Sequence, residues 1–225
     1  MIKYRVVFTP IIRLISRAGE NTIESLRDGR IKQEHPFTER LLGRIEDAVN
    51  NVKRKGMIWR AKSLTDRGRG AEEKEYGADF AGVFEVDIPG LKVKKGFLAQ
   101  AKLIRHSNQV DIKEFQRMQR QCEKMLKITP DSYLFLYNLD GISVVPALSV
   151  ASSVPINPYR LRSHNIGDFF LEHFSSFIGD RAIYAANIHA LEEVRLGLNV
   201  RSILYLGVAE WLPPPRLPIQ RHRGP

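Results

Sequence analysis

The stretch "GADFAGVFEVDIPGLKVKKGFLAQAK", residues 77–102, constrains the fold more than any other part of the chain. Two apolar segments, roughly 78–86 and 95–103, flank "DIPG". Pro followed by Gly is a turn pair, and the aromatic and β-branched residues on either side predict a β-hairpin. Side chains alternate across a strand. Asp79, Ala81, Val83 and Glu85 therefore share one face of the first strand, and Phe80, Phe84 and Val86 the other. Leu98, Gln100 and Lys102 share a face of the second. With the turn centred near Pro89 to Leu91, Asp79 comes close to Gln100 and Lys102. An acid, an amide and an amine converge at the open end of a hairpin that is otherwise apolar.

The flanking segments predict what packs on this hairpin. "PFTERLLGRIEDAVNNVKRKG" reads as a helix: Pro36 precedes it, Thr38 caps it, and Gly56 stops it. Leu41, Leu42, Ile45, Val49 and Val52 form its apolar stripe. "MIWRAKSL" predicts a strand and "TDRGRGAEEKEYG" a charged loop. After the hairpin, residues 110–127 predict a helix, then "SYLFLYNL" and "ISVVPAL" two strands around Asp140-Gly141. Residues 167–179 read as a helix with Phe170, Phe174, Phe177 and Ile178 on one face. "NIHALEEVRLG" is a short helix and "SILYLGV" a strand. Before residue 35 the pattern is weak, with a short helix expected over 21–28. The order predicts an α/β fold, a mixed central sheet flanked by helices. The expected division is an N-terminal extension (1–35), a core (36–150), a C-terminal extension packed on or beside it (151–212), and a Pro-rich basic tail (213–225) expected to be disordered.

Charge narrows the partner. The chain of 225 residues has a formal net charge of +10, which points first to nucleic acid as a polyanionic partner. Lys113, Arg117, Arg120 and Lys124 lie on one side of the helix at 110–127, opposite Phe115, Met118 and Cys122, as a stripe suited to a phosphate backbone. Arg67, Arg69 and Lys53 to Lys55 add further basic positions. No run is long and apolar enough to span a bilayer, so no membrane partner is expected. Cys122 is the one cysteine. It reads as a buried, inert thiol, and a single thiol fits a reducing, cytoplasmic setting.

The polar groups at the hairpin end have a chemical logic. Mg²⁺ takes oxygen ligands, typically one or two carboxylates with waters and phosphate oxygens. Asp79 offers a carboxylate and Gln100 an amide oxygen, while Lys102 can hold an attacking water. A second acid is wanted, and the helix beginning near Thr38 offers Glu39 and Glu46. An acid at a strand start followed by [Glu/Asp/Gln]-x-Lys on the next strand resembles the PD-(D/E)xK, or restriction-endonuclease-like, nuclease superfamily. Here the matching residues are Asp79 and Gln100-Ala101-Lys102. The Gln form is similar to the Mrr-like restriction endonucleases. "TERLL" resembles the Glu-Arg-x-Leu helix opening of archaeal Holliday-junction resolvases, which would make Glu39 the further acid; Glu46, nearer the edge of the apolar stripe, is the alternative. The resemblance spans about residues 36–147. It implies a restriction-endonuclease-like core, Mg²⁺ (or Mn²⁺) held by Asp79, Gln100 and Glu39, and hydrolysis of DNA phosphodiester bonds with Lys102 in catalysis.

Other readings stand beside this one. The hairpin end can be a structural Asp–Lys pair, and the chain a DNA-binding relic of the fold or a basic interaction protein. His106 and Asn108 suggest an HNH site, but no paired metal-ligating His or Cys accompanies them. There is no GxxxxGK[ST] phosphate loop, so ATP-driven activity would belong to a partner subunit, as would added specificity. The last third carries no motif; target selection or homodimerisation is the role open to it.

Overall fold

The computed structural model describes residues 2–66, 77–104 and 110–211, with side chains from Val6 onward. Arg67, Arg69, His106, Asn108 and the tail 213–225 lie outside the described residues. The chain forms α1 (Ile2–Arg27), α2 (Glu34–Val49), β1 (Lys53–Arg54), β2 (Met57–Thr65), β3 (Phe80–Ile88) and β4 (Leu91–Leu103). There follow α3 (Ile112–Leu126), β5 (Ser132–Tyr137), β6 (Ile142–Pro146), α4 (Ala147–Ala151), β7 (His164–Asn165), α5 (Ile166–Phe174), α6 (Leu191–Gly197) and β8 (Ser202–Glu210).

The expected hairpin is β3–β4, closed by Pro89 and Gly90 alone. Ile88 pairs with Leu91 and Phe80 with Ala99, and Gly90 takes the positive φ, +79°, that the second turn position requires. Alternation then sorts the two faces. Phe80, Phe84, Phe97, Ala99 and Ala101 enter one core with α1, α2 and α5. Ala81, Val83 and Leu98 enter a second core with α3, α4 and α6. The result is an eight-stranded mixed sheet between two helical layers, in the order β1-β2-β8-β3-β4-β5-β6-β7.

Four expectations are corrected. The segment before residue 35 holds a 26-residue helix rather than a short one over 21–28. Its buried residues Phe8, Ile11, Ile15, Ala18, Ile23 and Leu26 follow the helical period, while Arg13, Arg17 and Glu20 occupy the exposed face. Those charges mask the stripe in a reading along the sequence. Next, α2 starts at Glu34 with Gln33 as its cap residue. Pro36 sits inside the first turn, where its missing N–H costs no helical bond. Thr38 is not a cap: it is buried, and its Oγ lies 3.2 Å from the Tyr137 hydroxyl. The same helix ends at Val49, and Val52 falls outside it.

The third correction concerns the Phe-rich helix. It stops at Phe174, and the chain turns through Ser176 in the left-handed region (φ 62°). This leaves Phe177 59% exposed rather than on the buried face. The fourth concerns the last third, which does not merely pack on or beside the core. Its strand β8 lies inside the sheet, antiparallel to β2 and parallel to β3. A parallel partner reached from over a hundred residues away leaves no local sequence signal. Among the described residues no helix is long and apolar enough to cross a membrane.

Candidate active site at the open end of the hairpin

Asp79 precedes β3 and is held from both sides. Its N–H donates to the Ala99 carbonyl (2.8 Å), and its own carbonyl accepts from the N–H groups of Arg201 (3.1 Å) and Ser202 (3.2 Å), at the start of β8. The approach runs through Gly77 (φ +73°), where a Cβ would lie 2.7 Å from the Gln121 carbonyl of α3. Only glycine passes there without displacing backbone. The Asp79 side chain is 3% exposed. Its Oδ2 accepts from the Ala101 N–H at 2.7 Å and from Gln100 Nε2.

Gln100 lies one residue beyond the last paired position, Phe80 with Ala99, meets Asp79 through its side chain and is 1% exposed. Its Nε2 also donates to the Ala101 carbonyl at 3.0 Å. Rotating the amide by half a turn would set its oxygen against two acceptors, so the orientation is fixed by chemistry. The consequence is that Gln100 Oε1 is buried with no hydrogen-bond partner. A buried carbonyl in that state costs about 1–3 kcal/mol.

Lys102, two residues on, is 18% exposed, with Nζ 3.7 Å from Glu34 Oε1. Glu34 Oε2 accepts from the Leu103 N–H at 3.1 Å, which ties the first turn of α2 to the end of β4. The next residue, His35, points Nδ1 toward Asp79 Oδ1 at 4.0 Å. Ligand-type atoms of Glu34, His35 and Asp79 all lie within 4.8 Å of one another. The structure thus brings together Asp79, Gln100 and Lys102, in keeping with their spacing, and adds Glu34 and His35.

The two acids expected from α2 are placed elsewhere. Glu39 Oε1 is 3.9 Å from Arg201 Nε, and Glu39 is not part of the cluster around Asp79. Glu46 Oε2 accepts from the backbone N–H (2.8 Å) and hydroxyl (2.5 Å) of Ser63. It shields the outer edge of β2, where Asn50 Oδ1 likewise accepts from the Ala61 N–H. Glu34 and His35 escape any sequence reading in which Pro36 precedes the helix. Gln33-Glu34-His35-Pro36 fits equally well as cap and first turn, which places both side chains at the helix mouth.

The basic stripe of α3 borders this site. Lys113, Arg117, Arg120 and Lys124 are exposed while Phe115, Met118, Cys122 and Met125 are buried. A cleft of about 380 Å³ is lined by Lys102, Glu114, Arg117, Arg120, Gln121 and Lys124. Three of the four predicted phosphate-binding residues therefore open onto the same space as the candidate catalytic lysine; Lys113 does not line it. Burial pushes the Cys122 thiol up to about 12, so it is not a nucleophile at neutral pH. No family model, curated protein or solved structure matches the chain.

Proposed function

We propose that the chain is a metal-dependent endonuclease that hydrolyses DNA phosphodiester bonds from a restriction-endonuclease-like core. The observation that carries this reading is the facing of Asp79 and Gln100 across the hairpin, with Lys102 on the same face and an acid from α2 within reach. The donor set suits a divalent cation: two carboxylates, Asp79 and Glu34, and the partnerless amide oxygen of Gln100. Glu34, rather than Glu39 or Glu46, supplies the helix acid in this reading. A bound Mg²⁺ or Mn²⁺ would acidify water and stabilise charge on the phosphate and its leaving oxygen.

The chain's own residues do the positioning. Lys102 Nζ donates to the oxygen of the attacking water and is aimed by Glu34. Arg117, Arg120 and Lys124 hold phosphates beside it. Water adds to phosphorus, one P–O ester bond breaks, and the products are a phosphate monoester and an alcohol. The test is nicking of supercoiled DNA by the full chain. Cleavage is expected with Mg²⁺ or Mn²⁺, is stopped by EDTA, and is lost in Lys102→Ala while DNA binding remains. Salt-sensitive binding without cleavage in any divalent ion would leave the α3 cleft as the functional feature and this reading wrong.

A further inference from the structure

We infer that His35 is a metal ligand and that it tunes the site toward Mn²⁺ over Mg²⁺. The inference rests on reading the hairpin end as a metal centre, but not on the reaction performed there. Two ligands of one ion at about 2.1 Å lie about 3.0 Å apart when adjacent and about 4.2 Å apart when opposite. His35 Nδ1 and Asp79 Oδ1 are 4.0 Å apart, within the span that one ion bridges. Glu34 and His35 are consecutive residues in the first turn of α2, so the bond from Glu34 to the Leu103 N–H sets the position of the His35 backbone as well. The independent observation is Gln100: its buried amide abuts the Asp79 carboxylate and keeps Oε1 without a partner.

The preference for Mn²⁺ over Mg²⁺ follows from the donor set. Mg²⁺ holds oxygen ligands and sheds water reluctantly, and gains little from an imidazole. First-row transition ions accept nitrogen readily, and Mn²⁺ among them also favours carboxylate, carbonyl and water. Two carboxylates, an amide oxygen and an imidazole make a mixed oxygen–nitrogen set that fits Mn²⁺. The competing account is a plain His35–Asp79 ion pair across 4.0 Å, with His35 40% exposed.

The experiment is Mn²⁺ binding to the full chain, followed by the free-ion paramagnetic resonance signal and by competition with Mg²⁺. Pulsed resonance on the bound ion reads coupling to ligand nitrogen directly. The wild type is expected to prefer Mn²⁺ by at least about tenfold and to show one directly bound imidazole nitrogen. His35→Ala is expected to lose that coupling and about tenfold in Mn²⁺ affinity, with Mg²⁺ affinity within about twofold of wild type. His35→Gln, which keeps a polar side chain on the helix, should restore Mn²⁺ affinity in part but not the nitrogen signal, and its thermal melt controls for folding. Absent nitrogen coupling in the wild type, or an unchanged Mn²⁺/Mg²⁺ ratio in His35→Ala, would overturn the inference. Nitrogen-coupled Mn²⁺ on a chain that never cuts DNA would uphold it and refute the nuclease reading. Cleavage that is indifferent to His35 and equal in both ions would do the reverse.

Discussion

The β3–β4 hairpin buries an ionisable group at two places, and the two are treated differently. At the open end Asp79 is 3% exposed, its neighbour Gln100 keeps an acceptor without a partner, and Lys102 opens onto the α3 cleft. Halfway along, Lys95 is 2% exposed on the opposite face. There the ammonium donates to the Ile178 carbonyl at 2.5 Å. The segment after α5 is clamped over it by a two-way bridge between Gly96 and Asp180, 2.8 Å each way. A Cβ on Gly96 would lie 2.4 Å from Ile183, so the clamp depends on that glycine. Desolvation lowers Lys95 to about 8 and holds the adjacent buried His173 well below its ordinary range. Burial of charge alone therefore does not mark a site. The two places differ in access: the Lys95 ammonium has a backbone acceptor beneath the segment after α5, with the partnerless ring nitrogens of His173 beside it, whereas the partnerless Gln100 Oε1 and Lys102 lie at the end that borders a cleft.

The largest expected difference is in cleavage. Asp79→Ala should remove DNA cleavage, and Lys102→Ala should lower it by a factor on the order of 10²–10⁴. Lys95→Met should leave the rate within about twofold. Cleavage rates of the three purified variants make the comparison. A strong loss in Lys95→Met with an intact fold would mean that the two ends are not functionally distinct.

Next in size is the order among the α2 acids. Glu34→Gln should slow cleavage most and Glu39→Gln less, the latter through loosened Arg201. Glu46→Gln should leave the rate near wild type and lower stability by about 1 kcal/mol, because the edge N–H of Ser63 loses a charged acceptor. Rates and urea melts of the three variants decide it. Glu39 above Glu34 would return the site to the alignment implied by "TERLL".

These acids show what can be read from the residues alone. The turn at Pro89-Gly90 and the period of two set the register, so the facing of Asp79, Gln100 and Lys102 is legible in the sequence. The α3 stripe is legible for the same reason, since an apolar face at helical spacing implies its opposite. Glu34 and His35 are not, because a boundary misplaced by two residues at Pro36 puts them outside the helix. Nor is Arg201, which reaches the Asp79 carbonyl through the insertion of β8 beside β3. That contact is set by long-range pairing, to which local propensity is blind.

A smaller effect separates the two ends through pH. Lys95 binds its proton less tightly folded than unfolded. From about pH 8 to the ordinary lysine value of 10.5, the unfolded chain holds more protons, so the Lys95 contribution makes stability rise with pH across that window. Below pH 8 the full cost is present. Lys95→Met should raise stability at pH 7 by on the order of 1–3 kcal/mol and flatten the rise. Denaturant melts at pH 7, 8.5 and 10 test this. An equally steep rise in the variant would place its origin elsewhere.

Smaller still per residue is the contribution of α3. Neutralising Lys113, Arg117, Arg120 and Lys124 together should weaken DNA binding alike across sequences. Each lost phosphate contact should reduce the salt slope by about 0.9. The three residues that line the Lys102 cleft should account for most of the change, and Lys113 for little. Binding isotherms over a range of salt would show it. An unchanged slope would mean that α3 faces away from the nucleic acid.

If the unpartnered acceptor at the open end serves a metal-dependent reaction, Gln100 is the residue whose replacement tests it most directly. Cleavage would be measured against Mn²⁺ and Mg²⁺ concentration for wild type, Gln100→Glu and Gln100→Leu, with DNA binding followed in parallel. A carboxylate of the same length adds charge beside the cation, so Gln100→Glu should keep or raise activity at low metal. Gln100→Leu removes the oxygen and should abolish cleavage while binding persists. If Gln100→Leu cleaves as well as wild type at every metal concentration, Oε1 touches no ion and the metal-centre account is contradicted.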